Sequence, residues 1–204
     1  MTLIIFLILG LLTSLLFPPY FFTPLGFIIF PLICFLISNQ RNDFRKLNFF
    51  LNGSIYGFAL FLSLLFWLKN PFLVFEETKN FTIIFLLLIV LLALIFGIIF
   101  LFLNLIFRRL SVILLVPTIF TIFEIVISNI LYGFPWITFS LITANLSSQL
   151  MIVKYFGSLA TSFSIIFIFC LPYIYLYNGL KKIEYFAICI FVFPIIFILI
   201  FNLI

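Results

Sequence analysis

The sequence predicts an all-α fold, a polytopic membrane helix bundle of about seven transmembrane helices. Three observations predict it. Hydrophobic residues make up 67% of the 204 residues and charged ones only 7%, with a mean hydropathy of +1.51; a surface so poor in ions suits lipid, not water. The apolar residues come in runs near the length of roughly 20 that crosses the hydrocarbon core. The basic residues fall between those runs in ones to threes, which is the pattern of membrane topology and not of a phosphate-binding face, so nucleic acid is excluded as a partner.

Taken in order, the first run covers residues 2–17 and is stopped by Pro18-Pro19. It has no basic flank and no small-residue cleavage site, so it reads as a retained helix and not a signal peptide. The second covers 23–38, the third 47–68 and the fourth 81–107, long enough to tilt or project beyond the lipid. The fifth covers 111–131, the sixth 150–177 and the seventh 183–204. With the N-terminus inside, the inner connections hold Arg41, Arg45, Lys46, Arg108, Arg109, Lys181 and Lys182, against Lys69, Lys79 and Lys154 outside. That asymmetry obeys the positive-inside rule, and an odd number of spans carries Ile204 to the outer side. The connections are short and no internal repeat is visible, so residues 1–204 read as a single transmembrane domain.

Candidate chemistry is sparse. There is no His to serve as base or ligand, and Cys34, Cys170 and Cys189 sit in separate apolar runs without C-x-x-C spacing. No metal site or cofactor is implied. Phe occupies 34 positions; it either lines a lipid or substrate cavity or, more simply, fills places where any large apolar side chain serves. Glu124 is the one carboxylate in the middle of a span, with Thr121 and Ser128 on the same helix face. This polar stripe either faces a substrate head group or a partner helix, or fixes packing through interhelical hydrogen bonds.

Beyond it, Tyr132-Gly133-Phe134-Pro135-Trp136 ends the fifth helix with interfacial aromatics. Residues 137–149, rich in Ser, Thr and Asn and free of charge, are too polar to span and read as an outer loop or re-entrant segment. Phe17-Pro18-Pro19-Tyr20 reads as a rigid outer turn.

In this order the features resemble the N-terminal membrane domain of the apolipoprotein N-acyltransferases of Gram-negative bacteria. The resemblance rests on Gly10 followed by Phe17 to Tyr20, the basic loop Arg41 to Lys46, Gly53, Gly57 and Trp67 on the third helix, Glu124 followed by Gly133 to Trp136, and Gly157 with Phe163 on the sixth. Ile127 and Ser128 stand where the family usually has an Arg-Gly pair, and Ser140 and Thr143 where it tends to have a small residue and a Gln.

The resemblance implies a bacterial inner-membrane, multi-pass protein with a periplasmic C-terminus, taking part in phospholipid-to-lipoprotein N-acyl transfer during lipoprotein maturation. In the family a Glu-Lys-Cys triad on a periplasmic nitrilase-like domain carries the acyl group as a thioester. No residue here matches that triad, so no catalytic residue is assigned. The expectation is a chain truncated before the catalytic domain and inactive alone, with enzyme status open. Its partners would be phospholipid and either a lipoprotein substrate or a separate nitrilase-like catalytic chain. Glu124, Tyr132, Phe134 and Trp136 would line the lipid platform. A non-enzymatic lipid-binding or assembly protein, and a small transporter subunit using Glu124, remain the alternatives at this point.

Overall fold

A computed structural model describes residues 2–40, 45–106, 111–130, 137–146 and 149–176. The described residues are helical or in turns, without strands, and include five segments long and apolar enough to cross a membrane. The seventh predicted span lies outside the described residues.

Helix α1 (Thr2–Ser14) has 13 residues, about 20 Å at 1.5 Å per residue, which alone falls short of a bilayer core of about 30 Å. Successive turns prolong it: Leu15, Leu16 and Phe17 donate their N–H groups to the carbonyls of Leu12, Thr13 and Ser14. The chain then reverses through a cis Pro18-Pro19 bond, and the Phe22 N–H closes the loop on the Leu15 carbonyl at 2.9 Å. Helix α2 (Gly26–Gln40) starts after a 3-10 turn, Thr23–Leu25, and carries Pro31 within it. Helix α3 (Lys46–Leu64) runs into two exposed 3-10 segments, Phe66–Leu73 and Glu76–Phe81. Helix α4 is Thr82–Ile106, α5 is Val112–Asn129 and α6 is Gln149–Cys170, followed by a short helical turn at Tyr173–Leu176.

Side-chain spacing on α4 shows how one apolar helix divides between protein and lipid. Phe85, Ile89, Leu92, Phe96, Phe100 and Leu103 are buried, while Ile83, Leu87, Val90, Leu94, Ile98 and Phe102 are exposed. Both sets recur every three or four residues, so the two faces are equally hydrophobic and only packing tells them apart. The buried face of α4 lies against α3, the most extensive helix pair in the bundle, and α3 in turn packs on α1.

Small residues set the spacing of this trio. A Cβ at Gly97 would run into the Ser54 hydroxyl and lie 2.9 Å from the Phe50 carbonyl oxygen, and one at Gly10 would collide with the Tyr56 carbonyl. Without a hydrophobic drive between helices in lipid, such close backbone approach and the dispersion contacts it permits hold the pair together. One polar lock is added. Thr13 gives its hydroxyl proton to the Leu9 carbonyl at 2.7 Å, so the Tyr56 hydroxyl donates to Thr13 Oγ1 at 2.8 Å and ties α3 to α1.

Helix α5 is the most enclosed span. Its Phe120 and Phe123 meet Phe96 of α4 at ring-centroid distances of 5.3 and 5.2 Å, and Phe123 stacks on Phe61 of α3 at 4.9 Å. Here the abundance of Phe forms the packed centre of the bundle.

The sixth span departs from the expected continuous helix over 150–177. Gly157 has φ 78° and ψ 164°, a conformation essentially reserved for glycine, so α6 is two pieces. A short arm, beginning at Gln149, carries Met151, Tyr155 and Phe156 on its exposed side. The piece after Gly157 buries Ile166, Phe167 and Cys170. Apolar content extends through both pieces, which is why composition reads them as one.

Candidate functional site

The site is built at the bundle end that bears the Pro18-Pro19 turn. There the chain emerging from α5 folds back as a 3-10 turn, Phe139–Thr143, preceded by Thr138. The segment is not an open loop: Ile137, Phe139, Ser140 and Ile142 are all buried. Phe139 wedges between Phe120 of α5 at 4.9 Å and Phe17 of the first turn at 5.7 Å, edge to face with both.

Burying a turn buries its unpaired N–H groups, which then require acceptors. Thr138 makes no side-chain cap. Instead, Glu124 Oε2 accepts the Phe139 N–H at 3.2 Å, and Ser162 Oγ accepts the Ser140 N–H at 2.8 Å. Ser162 also lies beside the Glu124 carboxyl. The Gln149 side-chain amide donates to the Ser140 carbonyl, and Thr23 Oγ1 lies 3.3 Å from the Ile142 carbonyl. Glu124, Ser140, Gln149 and Ser162 are each at most 6% exposed. The result is a buried polar clamp in which α5 and α6 grip one turn through its first two N–H groups.

Of the residues singled out from sequence, Glu124 is at the centre of this clamp. Tyr132, Phe134 and Trp136 lie outside the described residues. The three-residue stripe does not act as a unit: Thr121 bonds to the Pro117 carbonyl of its own helix at 2.9 Å, and Ser128 to that of Ile125 at 2.9 Å on an exposed surface. Sequence reasoning passed over Ser162 and Gln149. Ser162 gave a faint signal as part of Thr161-Ser162-x-Ser164 within an apolar run; Gln149 sat at the edge of a polar stretch with nothing to distinguish it.

The cysteines also change status. Cys34 of α2 and Cys170 of α6, far apart in sequence, are both fully buried and are neighbours across the packed helices. Among the described residues no group of three or more His, Cys, Asp or Glu is arranged to hold a metal.

Against the same wall of the bundle lies a cavity of about 290 Å³ bounded by α2, the 3-10 turn and both pieces of α6. A second, open groove of about 560 Å³ separates α1 from α3, with Ser14, Tyr20, Ser63 and Phe66 on its walls.

Five apolar spans, a lipid-facing side on each and a polar turn clamped into one end define a multi-pass membrane protein. The apolipoprotein N-acyltransferase N-terminal domain matches residues 9–171, from α1 through the clamp to the end of α6. The chain belongs to that family. No curated protein matches it.

Proposed function

We propose that this chain provides the membrane portion of an apolipoprotein N-acyltransferase-like protein in the bacterial inner membrane, serving phospholipid-to-lipoprotein N-acyl transfer in lipoprotein maturation. The family match over residues 9–171 carries this reading. The geometry agrees with a supporting role: a buried turn is fixed at one end of an apolar bundle through its first two N–H groups. In this proposal the Phe139–Thr143 turn, held by Glu124 and Ser162, is a fixed point of the lipid platform, and Tyr132, Phe134 and Trp136 are the residues proposed to engage the acyl-chain donor. A triad supplied by a nitrilase-like chain or segment performs the transfer, with phospholipid as donor.

The transporter reading finds no support in the environment of Glu124. Its carboxyl is engaged with Phe139 and Ser162 in holding a turn, and it is not part of the lining of either cavity.

The test is N-terminal acylation of a lipoprotein, read by mass spectrometry in cells that depend on this protein and its catalytic partner. Trp136→Ala is expected to lower the N-acylated fraction severalfold at unchanged protein level. Full acylation in that variant counts against the platform role.

A further inference from the structure

Between α3 and α4 the chain makes an arm, residues 66–81, whose composition suits neither water nor the bilayer interior. Phe66, Trp67, Leu73, Val74, Phe75 and Phe81 are exposed along it, and Val74 and Phe75, at the join of its two 3-10 pieces, are 70% and 67% exposed. So many large apolar side chains in one short segment mark a surface that is covered. The same arm carries Lys69, Glu76, Glu77 and Lys79 on short 3-10 turns, and the hydrocarbon core accepts neither carboxylates nor lipid-exposed irregular backbone. What remains is the layer between the two, the hydrated head groups, where aromatic side chains settle.

Position agrees with that layer. Helix α3 has 19 residues, about 28 Å at 1.5 Å per residue, close to the full thickness of a core of about 30 Å. Entering at Lys46, it reaches the far boundary near Leu64, and the arm begins there. Helix α4 returns antiparallel, with Gly57 against Ala93 and Phe96 and Gly53 against Gly97 and Phe100. The arm folds back on these helix ends: Phe66 meets Phe85 of α4 edge to face at 6.4 Å, and the Phe66–Leu73 piece packs on α3, on α4 and on the Glu76–Phe81 piece. Thr78 Oγ1 lies 2.9 Å from the Phe72 carbonyl oxygen and ties the two pieces together. Eight residues of 3-10 helix span about 16 Å. Upright, they would lift Val74 and Phe75 clear of a head-group layer about 5–8 Å deep; lying flat, they keep both within it. Charge decides which lipid is needed. Lys69 Nζ sits 3.4 Å from the Phe66 ring centroid and Lys79 Nζ 2.8 Å from Glu76 Oε1, so both ammonium groups are engaged inside the arm, and its charges, two of each sign, cancel. We infer that residues 66–81 lie flat in the head-group layer of a zwitterionic bilayer, with Val74 and Phe75 at the acyl boundary. This inference rests on the arm alone and is independent of the acyl-transfer proposal.

Tryptophan fluorescence of the full chain in phosphatidylcholine nanodiscs, one chain to a disc, tests it. With Trp67→Phe and Trp136→Phe removing both native tryptophans, Phe75→Trp places the sole fluorophore at the tip of the arm. Lipid brominated high on the acyl chain is expected to quench it severalfold more than lipid brominated near the chain end, and acrylamide in the water to quench it weakly. Replacing part of the phosphatidylcholine by phosphatidylglycerol should change neither result. Val74→Asp, added beside the probe, should cut the bromolipid quenching severalfold and open the fluorophore to acrylamide. If that variant does not fold, the comparison of bromolipid with acrylamide in the parent chain decides. Strong acrylamide quenching with none from bromolipid would show an arm standing in water, free for a protein partner. A fluorophore shielded from both quenchers would show that the chain itself covers the tip. Either outcome, or bromolipid quenching that requires the anionic lipid, would overturn the inference.

Discussion

The residue-scale question is why a carboxylate is tolerated in the middle of an apolar helix. An intramembrane Glu persists where it has partners or work to do, and Glu124 accepts the Phe139 N–H of a turn that would otherwise bury it bare, with Ser162 of α6 beside it. The two problems solve each other. Glu124→Leu removes the acceptor and strands the Phe139 N–H, and should destabilise the protein by about 1–3 kcal/mol. Glu124→Gln keeps a carbonyl oxygen in place and should lose less. Thermal unfolding of the detergent-solubilised chain measures both, and equal stability of the Leu variant and the unaltered protein would remove the structural role argued for the clamp. The sequence displayed Glu124 plainly. It hid Ser162 and Gln149, because a Ser or Gln beside other polar residues reads the same whether it faces lipid head groups or a buried N–H.

Elements are shaped here by glycine in two different ways. Gly97 is required by space, since its missing Cβ is where Ser54 and Phe50 approach. Gly157 is required by backbone conformation: a Cβ there would have nothing within 4 Å, yet φ is +78°. Gly97→Leu should therefore part α3 from α4 and lower stability through lost packing. Gly157→Ala should cost about 1–3 kcal/mol through the backbone alone and straighten α6, drawing Lys154 and Tyr155 toward the line of the span. Spin labels placed at Lys154 and Ser164 report that change as a longer separation. An unaltered separation would show that the break does not depend on glycine. The periodicity of α4 carries a related lesson. Its existence as a helix is legible from length and composition, but which face meets α3 is not, since Phe and Leu serve lipid and core alike.

At the scale of the whole molecule, α2 and α6 lie side by side although more than a hundred residues separate them, and Cys34 and Cys170 report it. In a Cys189→Ser background, copper-phenanthroline oxidation of the full chain in membranes should join these two thiols within one chain. Peptide mapping identifies the link, and failure to form it under conditions that oxidise a surface control would argue against this helix arrangement. Topology is a separate matter, resting on the basic residues and on no contact. We expect Glu77→Cys to react with an impermeant maleimide added outside intact cells, and Arg45→Cys to react only after the membrane is opened. The reverse pattern would sink the positive-inside assignment.

The sequence alone determined that the chain is a stack of apolar helices, where most of them begin and end, and the family to which it belongs. Length, hydropathy and the spacing of Glu124 from Gly133–Trp136 are local properties, and local properties survive in one dimension. Only the tertiary structure decided that Glu124 caps a turn instead of heading a polar stripe, that Gly157 breaks the sixth span, that two distant cysteines are neighbours, and that Gln149 keeps an unpaired oxygen. The physical reason is common to all four. In a chain this uniformly hydrophobic, patterning does not distinguish protein-facing from lipid-facing positions, so the partners of each polar atom are set by packing between residues distant in sequence.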